Sequence, residues 1–294
     1  MAKPIFVVGA PRTGTTWVAN ILCRHSDVAG IQTERHYGIH ESSFFSHLKR
    51  YFGDPSKGNN FKIFLEKFKN SDYFRFSGLD ESFIDNYQGP QKYGCFFRNL
   101  MNEFATTKNS KYWVEKTTSH TLTLPEIKNV FPNAYFVATK RNIIDTVRSA
   151  IGLKVRNETI GKNDGTSKKL HILIEVFRYH TFRKHVTRFA RLNSSIHTIE
   201  FEKLINEKDH VVKQLCQFLG FNYEKSMLDQ QFKPNTSFAG NKDRKTTLNS
   251  QEKRLIEFLD HQISRLPFSV FRGAFQLKQR VLRNRLPNSF RSPR

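Results

Sequence analysis

The chain has 294 residues, 38% of them hydrophobic, and carries a formal net charge of +22 at pH 7. This length can bury a full core, and the charge attracts anions such as nucleotides, acidic sugars, nucleic acids and lipid headgroups. The first apolar run, residues 5–10, ends at Pro11, so we expect neither a signal peptide nor a membrane span. Three cysteines without metal-ligand spacing favour a cytoplasmic location.

The first predicted elements are a strand at residues 4–9, a glycine-rich turn and a helix at residues 15–25. This layout aims backbone N–H groups at an anion. An ATP-binding P-loop carries a lysine after its second glycine, but here Gly14 is followed by Thr15, and the loop cation is Arg12. The turn therefore predicts a site for a nucleotide whose leaving group differs from that of ATP.

Strands and helices alternate along the rest of the chain, which predicts an α/β fold: a parallel sheet flanked by helices on both faces, with helical insertions on the substrate side. The further elements are predicted at 42–52, 60–69, 91–106, 142–151 and 209–219 (helices) and at 112–115, 134–139 and 195–201 (strands). The Phe-rich segment from Phe61 to Phe104 is expected to line an apolar acceptor pocket or to form a helical core that supports a carbohydrate groove. Two long polar loops, 157–169 and 233–250, are expected to act as lids or connections.

Three turns follow strands of this sheet, at Gly9, Lys116 and Arg141, and ligands of such sheets bind at the carboxyl ends of the strands. The first turn would bind a 5′-phosphate through N–H groups and the hydroxyls of Thr13, Thr15 and Thr16. Arg141 and Ser149 lie about two helical turns apart and would hold a second phosphate. The chain thus has two predicted phosphate sites but neither the P-loop lysine nor an evident carboxylate cluster for magnesium. This combination argues against ATP and suggests 3′-phosphoadenosine 5′-phosphosulfate as the nucleotide.

Residues 11–17, Pro-Arg-Thr-Gly-Thr-Thr-Trp, resemble the 5′-phosphosulfate loop of sulfotransferases, and residues 141–149 resemble their 3′-phosphate motif. Further similarities lie at 115–117, 199–204 and 218–220. The resemblance covers roughly residues 4–245 and implies a P-loop-type fold. It also implies sulfuryl transfer from 3′-phosphoadenosine 5′-phosphosulfate (PAPS) to a hydroxyl or amine, with adenosine 3′,5′-bisphosphate (PAP) as product and no metal.

The resemblance also implies roles for individual residues. Those expected to bind the nucleotide are Arg12, Thr13, Gly14, Thr15, Thr16, Trp17, Arg141, Ser149, Lys242 and Arg244. Arg12 and Lys116 would balance charge on the transferring group. Trp17 would stack on adenine or pack in the core, and these two alternatives stay open. The loop containing residues 242–244 is expected to close over the 3′-phosphate.

The general base is predicted from a difference within the family. Cytosolic aryl and steroid sulfotransferases have a histidine after the Lys-Thr pair, but Thr118 stands there in this chain. Heparan sulfate and tyrosylprotein sulfotransferases use a glutamate shortly after the first helix, and Glu34 lies at the matching distance from Arg12. We therefore predict Glu34 as the base, with Glu41 and His120 as alternatives; a surface ion pair is the competing role for Glu34.

Residues 1–270 are expected to form the sulfotransferase domain and residues 271–294 a basic tail without acidic residues. The tail would contact a membrane surface or stay solvated, so the protein is expected in the cytoplasm, with a peripheral membrane contact as one alternative. A carbohydrate or glycolipid is the expected acceptor, with no nucleic acid partner. A P-loop nucleoside or sugar kinase and a noncatalytic polyanion-binding protein are the rival functions.

Overall fold

The computed structural model of the protein describes residues 1–33, 38–158, 168–229 and 248–281. Seven strands occur in these parts of the chain: β1 (Lys3–Gly9), β2 (Val28–Gly30), β3 (Gln32–Thr33), β4 (Gly38–Ile39), β5 (Tyr112–Lys116), β6 (Tyr135–Lys140) and β7 (Ile196–Glu200). Five of them form a parallel sheet in the order β2-β5-β1-β6-β7, and β3 pairs with β4 in an antiparallel ribbon. β1 therefore lies at the centre, between β5 and β6.

Helices surround the sheet. The α-helices of the described ranges are α1 (Thr15–Leu22), α2 (Phe44–Phe52), α3 (Asn60–Lys69), α4 (Asp72–Ser77), α5 (Ser82–Asp85), α6 (Tyr93–Thr107), α7 (Leu124–Val130), α8 (Ile143–Glu158), α9 (Lys168–Ala190), α10 (Phe201–Asn206), α11 (Lys208–Leu219), α12 (Ser250–Ser264) and α13 (Phe268–Val281). Short 3₁₀ helices occupy Thr118–Thr123 and Lys225–Leu228. None of the helices in these ranges is long and apolar enough to cross a membrane.

The side chains of β1 show why the sheet is covered on both faces. Phe6 and Val8 point into one hydrophobic cluster, and Ile5 and Val7 point into a second cluster that includes α1 and α11. All four side chains have no exposed surface. A strand buried on both faces is apolar at every position, which accounts for the continuous apolar run in the sequence. The α/β fold class predicted from the sequence is confirmed.

The Phe-rich insertion forms a helical core. The Phe44 ring, on α2, contacts the rings of Phe64, Phe68, Phe96 and Phe97, which belong to α3 and α6. These five rings are almost completely buried. Of the two alternatives for this segment, the structure shows the helical core, because edge, tilted and stacked ring contacts fill the space between the helices.

Several elements differ from the sequence prediction. α8 extends beyond the predicted end at residue 151, and α9, α12 and α13 were not predicted at all. α9 escapes a periodicity search because apolar side chains occur on both its buried and its exposed sides: Ile172 is buried, whereas Leu173 and Ile174 are exposed. The predicted domain boundary at residue 271 lies within α13, where Phe271 is fully buried against the Phe177 ring of α9.

Candidate active site

The turn between β1 and α1 has the backbone geometry of an anion-binding loop. Gly9 and Gly14 have φ angles of 143° and 95°, and a Cβ at Gly9 would overlap Thr139. Arg12 also has a positive φ, 74°, which is costly for a residue with a side chain. Gly14 caps α1, whose first N–H groups lack intrahelical acceptors and carry the positive end of the helix dipole. An anion placed above this turn is therefore stabilised.

Thr13 secures the turn from inside the protein. Its Oγ1 donates to the Ala10 carbonyl oxygen at 2.6 Å and lies 2.6 Å from Oγ1 of Thr139. The side chain is 1% exposed, so its hydroxyl is directed into the fold and away from the mouth of the turn. This geometry differs from the phosphate-binding hydroxyl expected from the sequence. Thr15 is also buried, and Thr16 is half-buried in the first turn of α1.

The two predicted phosphate sites lie beside each other. Arg12 Nε donates to Ser149 Oγ at 3.0 Å, although the two residues are 137 positions apart in the chain. Arg141 Nη1 donates to the Arg12 carbonyl oxygen at 3.2 Å. Side chains from the β1–α1 turn, the end of β6 and the middle of α8 thus form one basic surface at the carboxyl edge of the sheet.

Phe201 joins these residues and was given no role by the sequence analysis. Its ring lies 4.3 Å from the Arg141 guanidinium and 5.5 Å from the Trp17 ring. The same ring occupies the space that a side chain at residue 14 would need. The available signal was its position directly after β7, at the same edge of the sheet as the other turns. Phe201 therefore packs against Gly14, the Trp17 indole and the Arg141 guanidinium at the same time.

Arg141 is a largely buried cation. Burial lowers its pKa below the usual arginine value and Arg148 adds to this, whereas Asp145 and Glu202 oppose the shift. An arginine remains charged under such conditions because its ordinary pKa is far above neutrality. A charged guanidinium with little access to water interacts strongly with a phosphate.

On the other flank of β1, Lys116 ends β5 and is 5% exposed. Its Nζ donates to Glu41 Oε1 at 2.7 Å. In the sheet register, Lys116 lies opposite Val7, two residues before Gly9. The lysine therefore reaches the same carboxyl edge as Arg12 and Arg141, and the convergence expected from the sequence is present in the fold.

A buried polar network anchors this flank. Ser42 Oγ donates to Glu115 Oε1 at 2.8 Å, and Thr117 Oγ1 donates to the same oxygen. His120 Nδ1 donates to Glu115 Oε2 at 2.8 Å. Burial alone would raise the pKa of Glu115, but the His120 imidazole and the hydrogen bonds from His120, Thr117 and Ser42 outweigh it and lower the pKa below its usual value. The network fixes the segment that carries Glu41.

The geometry of His120 does not suit a general base. Its side chain has no exposed surface, and its Nε2 accepts the N–H of Phe45 at 3.1 Å. Because Nε2 is an acceptor, the ring proton lies on Nδ1, which donates to Glu115. Both nitrogens are therefore engaged inside the protein, away from any acceptor substrate.

Three predicted site residues, Glu34, Lys242 and Arg244, lie outside the described residues. Much of the two predicted long loops also falls there. Within residues 1–33, 38–158, 168–229 and 248–281, no group of three or more His, Cys, Asp or Glu side chains is arranged to hold a metal ion.

Comparison with known proteins identifies the type of fold. A family model, described as the sulfotransferase family, matches residues 4–225. No curated protein matches the sequence significantly. Among solved structures, the chain is similar to the sulfotransferase domain from the curacin biosynthetic pathway, with 15% identity, a TM-score of 0.51 and coverage of 98% of this chain and 99% of that one.

Two further solved structures show the same relationship. The sulfotransferase domain from the Synechococcus PCC 7002 olefin synthase has 13% identity and a TM-score of 0.51, covering 97% of this chain and 96% of that one. A sulfotransferase from Alicyclobacillus acidocaldarius has 18% identity and a TM-score of 0.51, covering 92% and 100%. At these identities, the similarity concerns the fold over nearly the whole chain.

Proposed function

The chain belongs to the sulfotransferase family, and on that premise we propose that it transfers a sulfuryl group from PAPS to a hydroxyl or amine of a carbohydrate or glycolipid. The observation that carries the proposal is the pairing of Arg12 with Ser149, at 3.0 Å, beside Arg141. This contact joins a 5′-phosphate turn to a side-chain cluster suited to a second phosphate. A nucleotide phosphorylated at both positions matches that pair of sites.

The residues present fit the donor. N–H groups at the start of α1 and the Arg12 cation suit the 5′-phosphosulfate, while Arg141 and Ser149 suit the 3′-phosphate. The Trp17 indole lies 5.5 Å from the Phe201 ring and is only partly buried, and its proposed role is to contact the adenine. When bound, the donor supplies the sulfuryl group. The proposed role of Lys242 and Arg244 is to cover the 3′-phosphate.

Lys116 would neutralise the oxygen on which negative charge develops as the sulfuryl group leaves. In the structure its Nζ is held by Glu41, so the ammonium is already oriented and largely shielded from water. Glu34 is the proposed base that removes the proton of the acceptor hydroxyl. Glu41 is the alternative base, since its carboxylate is only partly buried and lies beside Lys116.

The proposal is tested first by calorimetric binding of adenosine 3′,5′-bisphosphate, ADP and ATP, with and without magnesium. We expect a metal-independent preference for the 3′-phosphorylated nucleotide. Arg141→Ala should remove that preference, whereas Lys111→Ala, a change of an exposed lysine near the opposite end of β5, should keep it. Equal binding of the three nucleotides, or a magnesium-dependent preference for ATP, would contradict the proposal, and the latter would favour the kinase.

The base is tested separately with Glu34→Gln and Glu41→Gln, using labelled sulfate donor and a panel of neutral and acidic saccharides. Loss of turnover in Glu34→Gln, with nucleotide affinity kept, is the expected result. The same loss in Glu41→Gln alone would transfer the role to Glu41. No turnover with any saccharide, but turnover with small phenols, would contradict the acceptor class.

A further inference from the structure

A basic groove runs along α9, from the β1–α1 turn of the candidate active site to the start of α13. It consists of two adjoining cavities of about 340 and 420 Å³, which share Arg183, Thr187 and Arg191. The larger cavity is lined at one end by Gly9, Ala10 and Thr13 of the β1–α1 turn and by Lys140 of β6. The smaller one lies between α9 and Phe268, at the start of α13.

The spacing of the groove's cations follows from the helix. Arg183, Thr187 and Arg191 are four residues apart, as are Lys184 and Arg188, so the side chains form two adjacent rows. Arg183, Arg188 and Arg191 are exposed, and Lys184 is half-buried. Tyr179 donates to the Arg141 carbonyl oxygen, and Arg191, the residue after the end of α9, lies about 18 Å further along the helix axis at 1.5 Å per residue.

These cations are not neutralised within the described parts of the chain. No carboxylate there forms an ion pair with Arg183, Lys184, Arg188 or Arg191. Two acidic groups lie near the groove. Asp260 is bound to His180 Nε2 at 2.7 Å, and Glu200 lies 3.4 Å from Lys140 Nζ.

Aromatic contacts hold part of the cationic surface in place. The Arg188 guanidinium lies 4.9 Å from the Phe268 ring, and Lys184 Nζ lies 5.9 Å from the Phe271 ring. Such contacts orient a cation without cancelling its charge. A groove lined by oriented cations focuses its field on an anion that enters it.

We propose that this α9 groove is a second anion-binding site, which takes an extended acidic saccharide chain independently of the nucleotide. The groove is long enough for several charged sugar units, and the hydroxyls of Thr187 and Ser264 in its lining can bond to sugar hydroxyls.

Two other polyanions fit the lining less well. A single-stranded nucleic acid is held by aromatic side chains on which bases stack, but the Phe268 ring is already covered by Arg188 and His185. A bilayer surface is flat, whereas these cations line recessed cavities. Both remain outcomes of the test.

The test measures binding of a sulfated hexasaccharide, its unsulfated counterpart, a ten-nucleotide oligo(dT) and phosphatidylserine vesicles to the full-length chain. The variant Arg183→Glu/Arg191→Glu removes charge from both cavities. Lys62→Glu/Lys67→Glu, on exposed positions of α3, changes net charge equally at another surface and is the matched control. Thermal unfolding and circular dichroism show whether each variant is folded. If the reversal variant does not fold, Arg183→Gln/Arg191→Gln replaces it.

The expected result is salt-sensitive binding of the sulfated hexasaccharide that weakens about tenfold or more in the Arg183/Arg191 variant and hardly at all in the α3 control. Equal weakening in both variants, tighter binding of oligo(dT) or vesicles, or no preference over the unsulfated sugar would overturn the proposal. Groove binding by a wild-type chain that does not bind the bisphosphate would support this inference while contradicting the proposed sulfuryl transfer.

Discussion

The two flanks of β1 hold the residues of the candidate site by different physical means. On the β5 flank, Glu115 is buried and receives hydrogen bonds from three side chains, and the network positions the carboxylate that pairs with Lys116. On the β6 flank, Arg141 lies on the Phe201 ring and Arg12 binds a serine hydroxyl. Loss of a member of the first group leaves buried polar atoms without partners. Loss of a member of the second mainly alters the surface offered to an anion.

The largest effect is expected for Lys116→Ala. Removing this ammonium should slow sulfuryl transfer about 10²- to 10³-fold, the range found when one group that stabilises developing charge is deleted. Affinity for adenosine 3′,5′-bisphosphate should change little, because the proposed site assigns both phosphates to other residues. Single-turnover rates and calorimetry measure the two quantities, with Lys111→Ala as the control. An equal loss of nucleotide affinity would place Lys116 in nucleotide binding and remove the distinction between the flanks.

Glu115→Ala should lower the free energy of unfolding by about 3 kcal/mol, because His120, Ser42 and Thr117 lose a buried ionic partner. Lys111→Ala removes an exposed ammonium from its ion pair with Asp27 and should cost less than about 1 kcal/mol. Urea unfolding measures both. Similar small losses in the two variants would show that the Glu115 network does not stabilise the fold.

The same carboxylate predicts a pH effect. The pKa of Glu115 is lowered in the folded protein, so its contribution to stability is present above the unfolded pKa and is lost as the pH falls through the folded value. Wild-type stability should therefore fall below about pH 4, and Glu115→Ala should show a shallower decline there. If stability declined identically at low pH in the two proteins, Glu115 would not be the group that causes the decline.

Gly14→Ala should destabilise the protein by about 2 kcal/mol, since an alanine at positive φ is strained and its methyl group would overlap the Phe201 ring. Phe201→Leu in the same chain should recover the part due to overlap but not the part due to φ. Thermal unfolding of the two single variants and the double variant separates the loss of stability due to backbone strain from the loss due to overlap. Full additivity would show that the ring does not restrict this glycine.

The smallest effect is expected for Ser149→Ala. Loss of its hydroxyl contact with Arg12 should weaken binding of adenosine 3′,5′-bisphosphate by about 1 kcal/mol, or roughly fivefold, with stability unchanged. Binding of adenosine 5′-phosphate, which has no 3′-phosphate, should be less affected. Equal weakening for both nucleotides would indicate that Ser149 acts through Arg12 on the 5′-phosphate only.

The β1–α1 turn could be predicted from the sequence because its determinants are local. Two glycines with positive φ, a buried apolar strand and an amphipathic helix lie within about twenty residues, and each restricts the backbone by itself. The positions of Lys116 and Arg141 could be predicted for a similar reason, since the carboxyl ends of neighbouring parallel strands meet at one edge.

The tertiary structure alone decided which side chains touch. The Arg12–Ser149 hydrogen bond joins residues 137 positions apart, and Phe201 meets Gly14 and Arg141 only after β7 pairs with β6. The inward turn of the Thr13 hydroxyl depends on Thr139, and the α9 groove depends on α13 packing against that helix. Sequence patterns determine which backbone conformations are favourable and which faces are apolar. Contacts between distant residues depend on how those faces pack, and that is settled only when the whole core has formed.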